Sequence, residues 1–344
     1  MLATAAILAV VFLVSLVGVW QYRKFSFRKG ILDHPNERSS HEVPTPRGGG
    51  LVMALATIAG YAVLSLVTGI PLNYGYILAS LVIIGIGLVD DLYSVWFFWR
   101  LIGQFAAAFI FIVLSGTYGA IYFPFLGDTV MPALLSIAVT SLAIVYFLNA
   151  YNFMDGIDGI AGLQAVIAGV CWLVVGSLIG LDAAVLLGGS LAAASLGFLI
   201  LNWQPAKIFM GDAGSSFLGF SFAVLPIVAT NGGSSKAGLP LLIGVLAVWP
   251  FIFDSLITLF RRGLRGEKVW SAHREHLYQR LVIGGWSHAT VTSIYGVLAA
   301  LSSAVAILYA LTLRVTIVDV LCISVAFISV IVVFLLSAKY GGTK

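Results

Sequence analysis

The chain has 344 residues, of which 60% are hydrophobic and only 9% are charged. Soluble globular domains carry roughly 25% charged residues, so this composition excludes a water-soluble fold. Because a helix needs about 20 apolar residues to cross a bilayer, the sequence predicts an all-α integral membrane protein that forms one polytopic domain over residues 1–344.

Long apolar runs predict about eleven transmembrane helices. In chain order they lie near residues 3–20, 50–70, 73–89, 101–119, 131–149, 160–180, 183–201, 214–230, 238–260, 289–311 and 315–338. Pro250 is expected to kink the ninth. Cys171 and Cys322 both fall inside apolar runs, so no disulfide is expected.

The distribution of charge predicts the orientation of these helices. With the N-terminus outside and the C-terminus in the cytoplasm, 16 of the 18 Lys and Arg residues face the cytoplasm, as the positive-inside rule requires. The first helix has no basic residue before its apolar core, so it is not expected to be a cleavable signal. Eleven of the 14 acidic residues also lie on or near the cytoplasmic side, which predicts a functional site at that face.

Asp90 and Asp91 end the third predicted helix. Two adjacent carboxylates repel each other beside hydrocarbon, and a helix C-terminus favours cations rather than anions. A bound cation would relieve both costs, and a solvated helix end is the alternative interpretation.

The segment LNAYNFMDGIDGIAG places Asn149, Asn152, Asp155 and Asp158 three residues apart. In a helical conformation these side chains lie along one face. Amide and carboxylate oxygens suit Mg²⁺ or Mn²⁺, particularly when substrate phosphates complete the coordination shell. A plain polar turn is the alternative.

A third polar cluster precedes the eighth predicted helix. Asp212 is a candidate ligand for a divalent cation, the amide N–H groups that follow it can bind an anion, and Lys207 can bind a phosphate. Taken alone, Asp212 is equally typical of a helix N-cap.

The longest polar loop, residues 261–288, carries His273, Arg274 and His276 among six basic residues. This pattern favours an anionic partner, such as a nucleotide pyrophosphate or lipid headgroups. Zinc binding by the two histidines, or a loop whose charge only sets topology, are the alternatives. Asp254, shortly before this loop, is expected either to belong to the site or to pair with an arginine.

The first inner loop contains Arg47 directly before the glycine run Gly48–Gly50. Glycines at the start of a helix can admit a phosphate to the backbone amides. A plain turn into the second helix is the alternative.

The motifs VPTPRGGG, GLVDD, NAYNFMDGIDG, PAKIFMGDAGSSFLG and HREH occur in this order along the chain. Together they resemble the polyprenyl-phosphate N-acetylhexosamine-1-phosphate transferases of glycosyl transferase family 4. The resemblance implies a multi-pass enzyme of the bacterial inner membrane with its active site on the cytoplasmic face. Such an enzyme moves HexNAc-1-phosphate from a UDP-N-acetylhexosamine to undecaprenyl phosphate in the lipid bilayer, releases UMP, and uses Mg²⁺ or Mn²⁺. No nucleic-acid partner is expected, and a homodimer is left open.

The same resemblance assigns roles to individual residues. Asn152 and Asp212 match the metal ligands of the family. The residues assigned to the catalytic centre are Asp90, Asp91, Asp155 and Asp158. The residues assigned to substrate binding are Arg47, Asn149, Lys207, His273, Arg274 and His276.

A general base is not strictly required for the implied reaction. A phosphate monoester has a second pKa of about 6, so it is mostly dianionic at neutral pH. The lipid phosphate is therefore expected to attack the β-phosphorus directly, and Asp90 or Asp91 is the candidate if a base is used.

The sequence HREH also bears on the choice of sugar. The branch that makes peptidoglycan lipid from UDP-MurNAc-pentapeptide typically has consecutive histidines at this place. The chain therefore looks more like the branch that initiates O-antigen, enterobacterial-common-antigen or capsule synthesis, and the phospho-MurNAc-pentapeptide transferase is the alternative. A secondary transporter is less favoured, because its charges should lie near the bilayer midplane rather than at one interface.

Overall fold

The computed structural model describes residues 2–35, 43–123, 125–230, 238–267, 274–312, 318–322, 324–325, 328, 331 and 335. The first eight helices are α1 (Leu2–Lys29), α2 (Gly49–Thr68), α3 (Tyr74–Tyr93), α4 (Phe97–Ser115), α5 (Ala133–Met154), α6 (Ile160–Ile179), α7 (Asp182–Asn202) and α8 (Asp212–Thr230). They are followed by α9 (Gly238–Ala247), α10 (Trp249–Leu264), α11 (Leu277–Ile283) and α12 (His288–Thr312). The described residues also contain two short antiparallel strand pairs, β1 (Leu32–Asp33) with β2 (Thr45–Pro46) and β3 (Ala120–Phe123) with β4 (Gly127–Val130).

Nine helices in the described residues are long and apolar enough to cross a membrane, namely α1 to α8 and α12. The bent pair of α9 and α10 makes a tenth if it counts as one span. The protein is therefore a multi-pass membrane protein. Ten of the eleven predicted spans have a counterpart, and most of the eleventh, residues 315–338, lies outside the described residues.

The ninth predicted span differs most from the expectation. A single kinked helix over 238–260 is wrong, because α9 and α10 meet at 79°. Val248 separates them, and Pro250 lies in the first turn of α10. Proline is well tolerated there, because the N–H that it lacks would have no helical partner. The predicted kink is therefore a complete break.

The centre of the bundle is α8, which is buried along nearly its whole length and packs against α2, α3, α5, α7 and α9. Its first turn touches two glycines on neighbouring helices. A Cβ at Gly50 would lie 2.5 Å from the Cα of Gly214, and a Cβ at Gly87 would lie 2.5 Å from the Cα of Ala213. Small residues allow helix backbones to approach this closely in membranes. The start of α8 is thereby held directly against α2 and α3.

The two ends of the bundle are unlike each other. At the end that we call the polar end, α3 and α5 finish and α4 and α8 begin, which brings together Asp90, Asn152 and Asp212. The opposite end carries the β3–β4 hairpin, which packs against α9. Cys171 and Cys322 are free and buried, which confirms the absence of a disulfide between them.

Candidate active site

Three aspartates and two arginines meet at the polar end. The Nη2 atom of Arg47 lies 2.7 Å from Oδ1 of Asp91 and 3.3 Å from Oδ1 of Asp212. On the other side, Nη1 of Arg100 contacts Oδ2 of Asp90 and lies 3.6 Å from Oδ2 of Asp212. Asp212 therefore stands between two guanidinium groups.

The carboxylate of Asp91 caps the N-terminus of α8. Its Oδ1 accepts the N–H of Asp212 at 2.8 Å and its Oδ2 accepts the N–H of Ala213 at 3.2 Å. The first amides of a helix have no intrahelical partner and carry partial positive charge, so an anion is favoured there. An anion was predicted at this helix start, and in the structure the chain itself supplies it.

Asp90 fixes the turn between α3 and α4. Its Oδ1 accepts the N–H of Val95 at 2.7 Å, and the residue is only 7% exposed. The alternative of a solvated helix end is therefore wrong for Asp90, because a guanidinium and a backbone amide satisfy its carboxylate inside the protein.

Asn152 connects the end of α5 to the start of α8. Its Nδ2 donates to Oδ1 of Asp212 at 3.1 Å and to Oγ of Ser215 at 2.8 Å. Within the described part of the chain its amide oxygen accepts no hydrogen bond. The two residues predicted as metal ligands, Asn152 and Asp212, are thus in direct contact.

The predicted helical face through Asn149, Asn152, Asp155 and Asp158 is only half present. Because α5 ends at Met154, the two aspartates lie in the following turn, residues 155–159, which we call the acid turn. Gly159 permits this turn, because its φ of 78° is in the left-handed region that favours glycine.

The two acids of the acid turn have opposite surroundings. Asp158 is 9% exposed, its Oδ2 accepts the N–H of Ala206 at 3.1 Å, and its Oδ1 lies 3.3 Å from Nδ1 of His288. Its backbone carbonyl accepts the hydroxyl of Thr292 at 2.8 Å. Asp158 therefore joins the acid turn to α12 and to the loop after α7, which is a structural role.

Asp155 is half-buried, and its carboxylate makes no hydrogen bond or ion pair with the described residues. Burial raises the pKa of this carboxyl group well above its ordinary value, and the nearby carboxylate of Asp212 raises it further, while Arg47 opposes the shift. Such an acid favours the approach of a cation.

Asn149, predicted to bind substrate, is held by a neighbouring helix. Its Nδ2 donates to Oε1 of Gln104 at 2.7 Å, and Nε2 of Gln104 donates back to Oδ1 of Asn149 at 3.3 Å. This reciprocal amide pair links α4 to α5 and leaves Asn149 with a structural role in the described chain.

Three of the basic residues predicted to contact substrate differ in their exposure. Lys207 is exposed in the loop before α8, and Arg274 is half-buried before α11. His276 is buried, with its Nδ1 3.1 Å from Oδ1 of Asp254. His273 lies outside the described residues.

Asp254 does not pair with an arginine among the described residues, and it contacts His276, one of the residues predicted to bind substrate. Its fully buried carboxylate accepts the N–H of Leu277 at 2.9 Å, the N–H of Tyr278 at 3.2 Å and the hydroxyl of Tyr295 at 2.6 Å, in addition to the contact with His276. A buried carboxylate needs several donors, and here they come from Thr258 on the same helix, from the start of α11 and from α12.

Arg100 is the site residue that sequence reasoning missed. It lies ten residues after Asp90, in the first turn of an otherwise apolar helix. An arginine in a membrane helix usually finds a charged partner inside the protein, and that signal could have identified it.

Within the cluster itself, the three aspartates outnumber the two arginines that contact them. Burial alone would lower the pKa of Arg47, but the carboxylates of Asp91 and Asp212 outweigh burial and raise that pKa above its ordinary value. Among the described residues no three His, Cys, Asp or Glu side chains form a ready-made metal site. The amide oxygen of Asn152 and the carboxylate of Asp212, on side chains in contact with each other, are oxygen donors that fit a divalent cation whose shell is completed by substrate phosphates and water, the usual mode for Mg²⁺.

These features define a multi-pass membrane enzyme with a charged site at one end of its bundle. The model of glycosyl transferase family 4 matches residues 73–230. A decaprenyl-phosphate N-acetylglucosaminephosphotransferase of Mycobacterium tuberculosis (strain H37Rv) is 33% identical over 79% of this chain and 74% of its own length. An undecaprenyl-phosphate alpha-N-acetylglucosaminyl 1-phosphate transferase of Escherichia coli (strain K12) is 24% identical over 86% of this chain and 81% of its own length. The chain belongs to glycosyl transferase family 4 and is a glycosyl-1-phosphate transferase.

Proposed function

We propose that this chain transfers N-acetylglucosamine 1-phosphate from UDP-N-acetylglucosamine to undecaprenyl phosphate and releases UMP. The observation that carries the proposal is the placement of Asp212 between Arg47 and Arg100, in contact with Asn152. Two anionic substrates must come within bonding distance, so a site of this kind has to supply positive charge and exact positions. The names of the relatives support both the reaction and this sugar.

The orientation and the setting are part of the same proposal. The basic residues support a cytoplasmic polar end and an outer N-terminus, in the inner membrane of a bacterium. The product, a lipid-linked sugar pyrophosphate, would initiate an O-antigen or another cell-surface polysaccharide. The lipid would enter from the bilayer beside the break between α9 and α10, where the helices diverge at 79°.

Asp212 and Asn152 would hold the Mg²⁺ or Mn²⁺ ion. When bound, the ion supplies charge neutralisation for the phosphates that are being transferred. Asp91 keeps the start of α8, and therefore Asp212, in place through the two N–H groups that it caps. Arg47 and Arg100 neutralise the carboxylates of the site, and their N–H groups would donate hydrogen bonds to the phosphate oxygens.

The bond changes follow from the two substrates. An oxygen of the lipid phosphate attacks the β-phosphorus, the bond from that phosphorus to the bridging oxygen breaks, and UMP leaves with the electron pair. Asp155 and the exposed Lys207 would orient the sugar nucleotide, together with Arg274. The lipid phosphate is already mostly dianionic at neutral pH, so no side chain has to remove a proton from it.

The test is a donor panel with the full chain in lipid vesicles that contain undecaprenyl phosphate and Mg²⁺. UDP-N-acetylglucosamine should yield UMP and a pyrophosphate-linked lipid, while UDP-N-acetylgalactosamine and UDP-MurNAc-pentapeptide should not. Asp212→Asn should abolish the product, and Asp319→Asn, which alters a buried acid at the opposite end, should retain it. Turnover of UDP-MurNAc-pentapeptide alone would assign the chain to the peptidoglycan branch. No UMP from any donor would refute the proposed function.

A further inference from the structure

Tyr278 lies between two segments that carry candidate site residues. It is the second residue of α11, it follows Arg274 and His276 closely, and its side chain is fully buried. Its hydroxyl donates a hydrogen bond to the carbonyl of Phe153 at 3.0 Å. Phe153 belongs to the last turn of α5, directly before the acid turn.

The carbonyl of Phe153 needs a partner from outside its own helix. The last four carbonyls of an α-helix have no N–H partner within the helix, and α5 ends at Met154. Partly buried carbonyls of this kind are usually satisfied by a cap. Tyr278 therefore acts as a cap for α5 that another element supplies.

Tyr278 is itself held in one position. The carboxylate of Asp254 accepts its backbone N–H at 3.2 Å, together with the hydroxyl of Tyr295 at 2.6 Å. The rings of Tyr278 and Tyr295 pack edge to face, with their centroids 6.4 Å apart. These contacts fix both the backbone and the ring of Tyr278, so its hydroxyl points at the end of α5.

The acid turn is in close contact with this hydroxyl. A Cβ at Gly156 would lie 2.1 Å from the hydroxyl oxygen of Tyr278, so only glycine allows the approach. The tyrosine thus defines where the backbone runs at the near end of the acid turn.

The far end of the acid turn has separate anchors. Thr292 donates to the carbonyl of Asp158 at 2.8 Å, and Oδ1 of Asn202 accepts the N–H of Gly159 at 3.0 Å. Asp155 has no such anchor on its carboxylate within the described chain. Its position therefore depends on the backbone at the near end, which Tyr278 holds.

We propose that Tyr278 is a positioning residue for Asp155. This proposal rests on the proposed function, in which Asp155 orients the sugar nucleotide. Tyr278 keeps the acid turn at a fixed position relative to the segment of Arg274 and His276. The two parts of the nucleotide-sugar site therefore keep their relative positions.

Tyr278→Phe tests the proposal, because it removes the hydroxyl and keeps the ring. A misplacement of about 1 Å can cost up to 100-fold in rate, so we expect kcat/KM for UDP-N-acetylglucosamine to fall about 10-fold. The KM for undecaprenyl phosphate should stay within about 2-fold. The matched control is Tyr309→Phe, which removes an equally buried hydroxyl that bonds Asp319 at the opposite end and should change kcat/KM less than about 2-fold.

A double-mutant cycle separates positioning from a general loss of packing. If Tyr278 acts through Asp155, then Tyr278→Phe should have less than about a 3-fold effect on the Asp155→Asn background. The same 10-fold loss on both backgrounds, or a Tyr278→Phe enzyme that behaves like Tyr309→Phe, would overturn the proposal.

Hydrogen exchange gives a second readout that needs no turnover. Amides of residues 153–159 should exchange faster in Tyr278→Phe than in the wild type, and Tyr309→Phe should leave them unchanged. Unchanged exchange in Tyr278→Phe would refute the positioning role. If the wild type transferred no sugar phosphate but this exchange rose as expected, the proposed function would fail and the anchoring of the acid turn by Tyr278 would stand.

Discussion

Both ends of the helix bundle bury carboxylates, but the groups that contact these carboxylates differ between the two ends. At the opposite end Asp319 is 6% exposed and is the acceptor for the hydroxyl of Tyr309 and for the N–H of Phe125 at 3.3 Å. Both donors are neutral. At the polar end Asp91 and Asp212 share the guanidinium of Arg47, and like charges lie close together.

The difference separates a carboxylate that neutral donors satisfy from carboxylates that depend on cations. Both hydrogen-bond donors to Asp319 belong to the protein, so the main effect of Asp319 is to connect the hairpin region to the end of α12. The acids at the polar end are crowded, which costs free energy unless cations are present. Arg47 and Arg100 are about 30% exposed at their side chains, so a substrate phosphate can reach them.

The largest effect is expected from Asp212→Asn, which should lower transfer of sugar phosphate by about 1,000-fold or more, because it removes the charge that would hold the metal ion. The measurement is UMP release by the purified enzyme in vesicles. Asp319→Asn should lower the apparent melting temperature and keep transfer within about 2-fold. Equal losses of activity in the two variants would remove the distinction between the two ends.

Withdrawal of divalent cations should reduce transfer by at least about 100-fold, because neither the amide of Asn152 nor the carboxyl group of Asp212 brings positive charge to the substrate phosphates without the ion. A chelator titration followed by addition of Mg²⁺ or Mn²⁺ measures this. Recovery should need the native Asp212 side chain. Full activity in the chelated wild type would show that the arginines suffice.

Arg100→Gln should reduce kcat by about 10- to 100-fold, because it leaves Asp90 and Asp212 without their shared cation. Arg100→Lys should recover only part of the loss, since one ammonium cannot reproduce the fork of a guanidinium. Steady-state kinetics with both substrates measure the effect. If glutamine and lysine gave the same rate, a role for charge at this position would be contradicted.

The smallest effect on transfer is expected from Gly87→Ala, about 10-fold, with a loss of about 1–3 kcal/mol in the free energy of unfolding. The added Cβ would lie 2.5 Å from the Cα of Ala213 and would push the start of α8 away from Asp91. Gly85→Ala is the matched control two residues earlier in α3, where a Cβ meets nothing within 4 Å. Thermal unfolding and UMP release should change for Gly87→Ala only.

Much of the fold could be predicted because the bilayer imposes a length on each apolar run. Asp90 and Asn152 lie in the last turns of α3 and α5 because polar side chains collect where a helix leaves hydrocarbon. For the same reason the polar end could be predicted from the acids alone. The break at Val248 could not be predicted, because the residue types around it also suit a continuous kinked helix.

Pairings between distant elements were beyond sequence reasoning. Asp155 and Asp158 look equivalent in the chain, yet the carboxylate of Asp158 accepts the N–H of Ala206 and contacts His288, whereas that of Asp155 has no such partner among the described residues. Which of the two carboxylates has partners in the described part of the chain depends on residues about 50 to 130 positions away. The same holds for Asp254, whose partners lie on α11 and α12 rather than on the nearby arginines.

The burial of α8 has a consequence for how the protein is made. Of the nine spans in the described chain, α8 has the lowest mean hydropathy and the largest buried share. Its start carries Asp212 and Ser215, which lipid would not solvate. We therefore expect α8 to be retained in the bilayer by its protein neighbours rather than by lipid, so that insertion of this helix during synthesis depends on the seven helices that precede it.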